Sequence, residues 1–140
     1  MLSEINIVWF KRDLRITDHI PIYKASKESI PFIPLYVLDQ NYWSQDFSSI
    51  RHWNFVYDCL EELNIELSNI GQPLIIKKGS AVNIFKDIQS NFKINKVYAH
   101  EETSNNWVRK ENLSVKNWFA ENLIEFIEYP TNGVVRGLKS

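Results

Sequence analysis

Glycine is scarce in this chain: four in 140 residues, the first of them Gly71. The connection that follows the first apolar run, Ile5–Phe10, therefore contains none. That excludes from this connection both the G-x-G-x-x-G turn, which lets a backbone approach a pyrophosphate, and the Walker A loop. Nicotinamide or nucleoside triphosphate binding in the usual form is disfavoured. Cysteine is almost absent. The single Cys59 permits no internal disulfide framework and points to a reducing compartment, read here as the cytoplasm. It falls on the apolar stripe of a helical stretch, where a small buried core residue is expected rather than a nucleophile. An excess of charge is missing too: 16 basic residues face 17 acidic ones, for a net charge of -1, so no overall field holds nucleic acid by phosphate neutralisation. No apolar run approaches the roughly 18 residues of a membrane span. The N-terminus, carrying Glu4, lacks a basic region followed by a long apolar segment, so no signal peptide is expected.

What remains reads as one soluble α/β domain. Apolar, β-rich runs alternate with stretches of helical period. Strands are predicted at Ile5–Phe10, Phe32–Leu38, Leu74–Lys77, Lys96–Ala99 and Ile124–Glu128. The second is continuously apolar, as in a strand covered on both faces. The first connection holds a helix capped by Asp18 and running to about Lys27, with Pro21 in its first turn. A loop with Asp39, Asn41, Tyr42 and Trp43 follows the second strand. The clearest helix is Ser49–Ile70, where Trp53, Val56, Tyr57, Leu60, Leu63, Leu67 and Ile70 recur at three- and four-residue spacing. Gly71 stops it and Pro73 prevents a restart. Ser80 caps a helix containing Val82, Phe85 and Ile88. A last helix covers about Asn105–Asn122, with Trp107, Val115, Trp118 and Phe119 facing inward. Five strands with a helix in each connection make a doubly wound parallel sheet, order 3-2-1-4-5, helices on both faces, Rossmann-like without the glycine-rich fingerprint. Core packing is the expected role of Trp9, Trp53, Trp107 and Trp118.

Ligands of such sheets bind beyond the C-terminal strand ends, where the strand order reverses, here between strands one and four. Two loops meet that position. After strand one, Lys11-Arg12-Asp13-Leu14-Arg15 carries three cations, and with Asp18 two carboxylates, within eight residues. Such a loop either braces itself, or a neighbouring domain, through ion pairs, or offers arginine forks to a carboxylate or phosphate. After strand four comes His100-Glu101-Glu102-Thr103-Ser104-Asn105-Asn106-Trp107. No second His or Cys stands at ligand spacing, so no metal is expected. No nucleophile can be named beside His100, so no catalytic residue is assigned. Amide, carboxylate and aromatic groups suit the rim of a pocket for a planar heterocycle, and Thr103 or Ser104 can cap the next helix as well.

Together these loops resemble the photolyase/cryptochrome family. WFKRDLRITDH is similar to that family's opening, and LYVLDQNYW, GQPLIIKKGS, VYAHEETSNNW and TNGVVRGL follow in its order and spacing. Where many members have Arg-Asp, this chain has Glu111-Asn112, which loses a positive charge beside Arg109 and Lys110. The resemblance implies an N-terminal α/β domain over residues 1–130, with residues 131–140 starting a linker toward an FAD-binding helical domain. It implies an antenna chromophore of folate, deazaflavin or flavin type, and a deoxyribodipyrimidine photolyase or cryptochrome as the complete protein, with FAD and DNA reached only through the helical domain. Trp9, Phe10, Lys11 and Arg12 are expected on one side of the crevice, and His100, Glu101, Asn105 and Trp107 on the other. Asp13, Arg15, Asp18 and Arg136 are expected to dock the helical domain, and an uncovered docking face is expected to favour self-association. The alternative is a stand-alone universal-stress-type nucleotide-binding protein.

Overall fold

The structure is a computed structural model, and it describes residues 2–43, 50–102 and 106–130. Five parallel strands, β1 (Glu4–Phe10), β2 (Phe32–Leu38), β3 (Ile75–Lys78), β4 (Lys93–His100) and β5 (Glu125–Tyr129), form one sheet in the order β3-β2-β1-β4-β5. The expected doubly wound sheet is thus the fold. β1 is buried from Ile5 to Phe10 because both its faces are covered. Ile5, Ile7 and Trp9 pack with residues of α4 (Ala81–Gln89) and α5 (Asn106–Glu121). Val8 and Phe10 pack with residues of α1 (Ile20–Ser26) and α3 (Ile50–Asn69). The period-two alternation of a strand thereby feeds two separate cores.

The α3 stripe behaves as its spacing predicts at Val56, Leu60, Leu63 and Leu67, all buried, whereas Tyr57 and Ile70 at its margin are exposed. Gly71 takes a positive φ of 81°. The Gln72 N–H donates to the Leu67 carbonyl at 2.8 Å and the Gly71 N–H to Ser68 at 3.0 Å, which closes the last turn as a glycine C-cap does. Cys59 is only half-buried, on the flank of the stripe rather than at its centre.

Three local features differ from expectation. The cap of α1 is His19, not Asp18: its Nδ1 accepts the Ile22 N–H at 3.2 Å, while Asp18 turns the chain at φ 50°. A short helix α2 (Gln40–Trp43) replaces the loop after β2, started by the Asp39 carboxylate accepting the Asn41 N–H at 2.9 Å. β4 begins three residues early, at Lys93. Its register against β1 shifts between Ile5 and Asn6, and the side-chain oxygen of Asn6 takes the Lys96 N–H at 3.0 Å. The expected linker 131–140, Arg136, Asn105, and the cap residues Thr103 and Ser104 lie outside the described residues.

Candidate functional site

A cavity of about 430 Å³ opens beyond the C-terminal ends of β1 and β2 and reaches α5. Its size lies in the roughly 300–1,000 Å³ range of small-molecule sites. β1 and the residues after it supply Trp9, Phe10, Lys11, Arg12 and Arg15; β2 and the turn after it supply Tyr36, Asp39 and Tyr42. α3 contributes Phe55, Val56 and Cys59, and the far wall is Glu102, Trp107, Glu111 and Asn112. The walls mix aromatic and aliphatic surface with a ring of charged groups, the aromatics being Trp9, Phe10, Tyr36, Tyr42, Phe55 and Trp107. Tyr42 and Trp107 hold their rings 5.7 Å apart at 60°, and Trp9 packs edge-on against Phe85 at 5.2 Å.

Charge in the cavity is balanced. Arg12 approaches Glu102 at 3.9 Å. Arg15 folds its guanidinium back on its own loop, donating to the carbonyls of Thr17 at 3.1 Å and Asp18 at 3.5 Å. Burial, reinforced by Asp39, raises the pKa of Glu111, and burial raises that of the Tyr36 phenol far above its ordinary value. Burial and the carboxylates of Glu62 and Asp58 raise the Cys59 thiol, keeping it protonated. Lys11 is pulled the other way: burial lowers its pKa against the opposing pull of Glu128, Glu102 and Asp13.

Behind the β1 loop lies a buried cluster that sequence reasoning missed. Asp13, His19 and His100 are each at most 5% exposed. Asp13 Oδ2 accepts from His19 Nε2 at 2.5 Å and from His100 Nδ1 at 2.8 Å, and Oδ1 accepts the Lys11 N–H at 2.8 Å. Burial alone would raise the Asp13 pKa, but the hydrogen bonds from His100 and His19 hold it well below the usual carboxylate range. The three residues have donor atoms close enough for a metal, yet the tautomer argues otherwise. His19 Nδ1 accepts a backbone N–H, so Nε2 carries the proton and has no lone pair for an ion. The cluster is a brace tying the β1 loop to the start of α1 and the end of β4.

The sequence-predicted residues therefore separate into groups. Trp9, Phe10, Lys11, Arg12 and Trp107 meet at the cavity. His100 turns away from it into the brace, and Glu101 is exposed, its N–H bonded to the Tyr129 carbonyl. Asp13, expected at a docking surface, is interior; Arg15 and Asp18 are exposed. Tyr36, Tyr42, Asp39 and Glu111 were not expected at the site. The first three belong to or adjoin the LYVLDQNYW motif, whose aromatic and acidic residues could have signalled them.

A DNA photolyase family model matches residues 6–136. The chain belongs to the DNA photolyase family. Among similar proteins of this photolyase family, a cryptochrome DASH of Arabidopsis thaliana, named as chloroplastic/mitochondrial, is 30% identical over 115 residues, 78% of this chain and 20% of its own. The solved cryptochrome of Synechocystis sp. PCC6803 shares the fold with a TM-score of 0.81 and 21% identity, over 93% of this chain and 28% of that one. An archaeal photolyase from Sulfolobus tokodaii, solved with two FAD molecules and described as implying a novel light-harvesting cofactor, gives 0.76 and 26% identity, over 90% and 29%. The chain thus spans less than a third of the length of these photolyase-family proteins. No helix among the described residues is long and apolar enough to cross a membrane.

Proposed function

We propose that this chain is the chromophore-binding α/β part of a photolyase or cryptochrome, and that it holds a planar light-absorbing heterocycle in the crevice described above. The observation that carries this reading is the aromatic cavity at the strand ends, walled by Trp9, Tyr42 and Trp107, in a chain of the DNA photolyase family. Aromatic and aliphatic surfaces flanked by polar groups at the rim suit a flat conjugated ring that carries hydrogen-bonding edges. Folate, deazaflavin and flavin types all meet that description. The Sulfolobus photolyase, with its two FAD molecules, supports a flavin among them.

In the complete protein, light-driven repair or blue-light sensing belongs to an FAD-binding helical domain, in cis or in trans, and DNA is reached only through it. The 140 residues alone neither hold FAD for catalysis nor repair pyrimidine dimers, and a cytoplasmic location belongs to the same reading. Arg15, Asp18 and Arg136 serve docking to that domain, and self-association through the same face is expected when it is absent. The test is absorbance of the natively purified protein, with mass spectrometry of the small molecule released by heat. A conjugated heterocycle in one-to-one amount is expected. A colourless protein that takes up neither a folate, a deazaflavin nor a flavin would overturn the reading, and dimer repair by the chain under blue light would overturn its catalytic half.

A further inference from the structure

Lys11 places on the cavity wall a charge for which the fold supplies little. An ammonium has three donors and accepts nothing. Nζ lies 3.3 Å from the Asn112 side-chain oxygen, a long bond to a neutral group, and 4.3 Å from the Trp9 ring centre. Among the described residues no carboxylate pairs with it. Of the three carboxylates whose fields reach it, Glu128 is bound to Lys116 at 2.8 Å, Glu102 approaches Arg12 at 3.9 Å, and Asp13 is taken by the two histidines. Burial lowers the Lys11 pKa, the signature of an amine removed from water without a full counter-charge. Lys11, Trp9 and Asn112 all line the cavity, so the ammonium stands at its wall, with the Phe126 ring 5.8 Å away.

The surroundings restrict what can meet them. Asp39, Glu102 and Glu111 line the same cavity as Lys11, Arg12 and Arg15, so no excess positive charge is left there for a phosphate. Arg15 is exposed and turns two of its donors to backbone carbonyls, and Arg12 is mostly in solvent beside Glu102. No glycine-rich cradle offers backbone N–H groups. A ring carbonyl accepts the ammonium donors without adding charge, while its ring rests against the aromatic walls.

Resting on the chromophore reading above, we propose that Lys11 is the specificity-determining residue of this crevice. Its ammonium donates to a carbonyl oxygen on the edge of a planar, uncharged heteroaromatic ring. The site thereby selects carbonyl-bearing heterocycles over ring systems that lack one, and it does not read a phosphate tail.

The experiment titrates the full chain with two neutral tricyclic probes at neutral pH, lumichrome, which has ring carbonyls, and phenazine, which has none, following tryptophan quenching. Wild type is expected to bind lumichrome about 10- to 100-fold more tightly, the worth of one hydrogen bond to a charged group. Lys11→Met, which keeps the apolar stem, is expected to erase that preference and leave phenazine affinity within about twofold. Lys11→Gln, a neutral donor, serves if the Met variant fails to fold, and is expected to lose most of the preference. Riboflavin and FMN are expected to bind equally. An unchanged lumichrome preference in folded Lys11→Met or Lys11→Gln overturns the proposal. So does an FMN advantage over riboflavin that disappears with Lys11. If wild type binds none of these probes, the proposal for Lys11 is overturned and the chromophore reading loses its flavin branch, a result distinct from equal binding of lumichrome and phenazine, which defeats only the role of Lys11.

Discussion

Replacing Asp13 by Asn tests whether the buried brace holds the β1 loop in place. The substitution conserves shape and removes the charge and one acceptor position. If the new amide nitrogen takes the place of Oδ2, it faces the N–H groups of His19 and His100. His100 can answer by changing tautomer. His19 cannot, because a proton on its Nδ1 would confront the Ile22 N–H that it now accepts. If the amide nitrogen instead takes the place of Oδ1, it faces the Lys11 N–H. Either way at least one buried donor loses its partner, at about 1–3 kcal/mol each, and the charge-assisted character of the others is lost. The expected destabilisation is about 2–4 kcal/mol. For a chain of this size that corresponds to a fall in Tm on the order of 5–15 °C. Equilibrium urea unfolding followed by tryptophan fluorescence measures it directly. A variant within about 0.5 kcal/mol of wild type, the range of an ordinary surface substitution, would refute the brace.

Acid should unfold the protein through the same residues. Burial holds the His19 pKa below its ordinary 6.5, so its stabilising contribution is complete above that pH and declines as pH falls below it, because the unfolded chain then binds the extra proton. Asp13 adds a second loss below its ordinary 3.8. Urea midpoints measured from neutral pH downward are expected to fall in that order, and a profile flat between pH ~6.5 and pH ~4 would contradict it. In α3, Leu63→Ala removes a fully buried side chain and should cost about 2–5 kcal/mol, whereas Ile65→Ala on the exposed face should change stability by no more than about 0.5 kcal/mol. Equal effects in denaturant melts would show that α3 packs by a different face.

The parts of the fold that could be read from sequence are those that local pattern controls. The continuous apolar run Phe32–Leu38 announced a strand covered on both sides, and the spacing from Val56 to Leu67 announced a helix with its stop at Gly71. Element order then left few topologies. The cavity was legible where it borders β1, at Trp9 to Arg12. It was not legible at Tyr42 and Glu111, whose approach depends on α2 and α5 lying over the same strand ends. The brace was hidden for a similar reason. Asp13 looked like one charge among several in a polar loop, and His100 looked like part of a pocket rim. Their meeting is set by β1 pairing with β4, a contact that no local periodicity records. Asp18 has a good capping side chain, but the cap went to His19, whose two ring nitrogens bind Ile22 and Asp13 at once.

The position of β1 at the centre of the sheet also orders events during synthesis. His19 follows Asp13 by six residues, so this half of the cluster can close as soon as the first helix emerges. His100 comes 87 residues after Asp13. At about 5–20 residues per second the ribosome needs roughly 4–17 s to deliver it. Through that interval the nascent chain carries one flank of β1 unpaired and one imidazole short, and the edge later covered by β4 is open to chaperones or to another nascent strand.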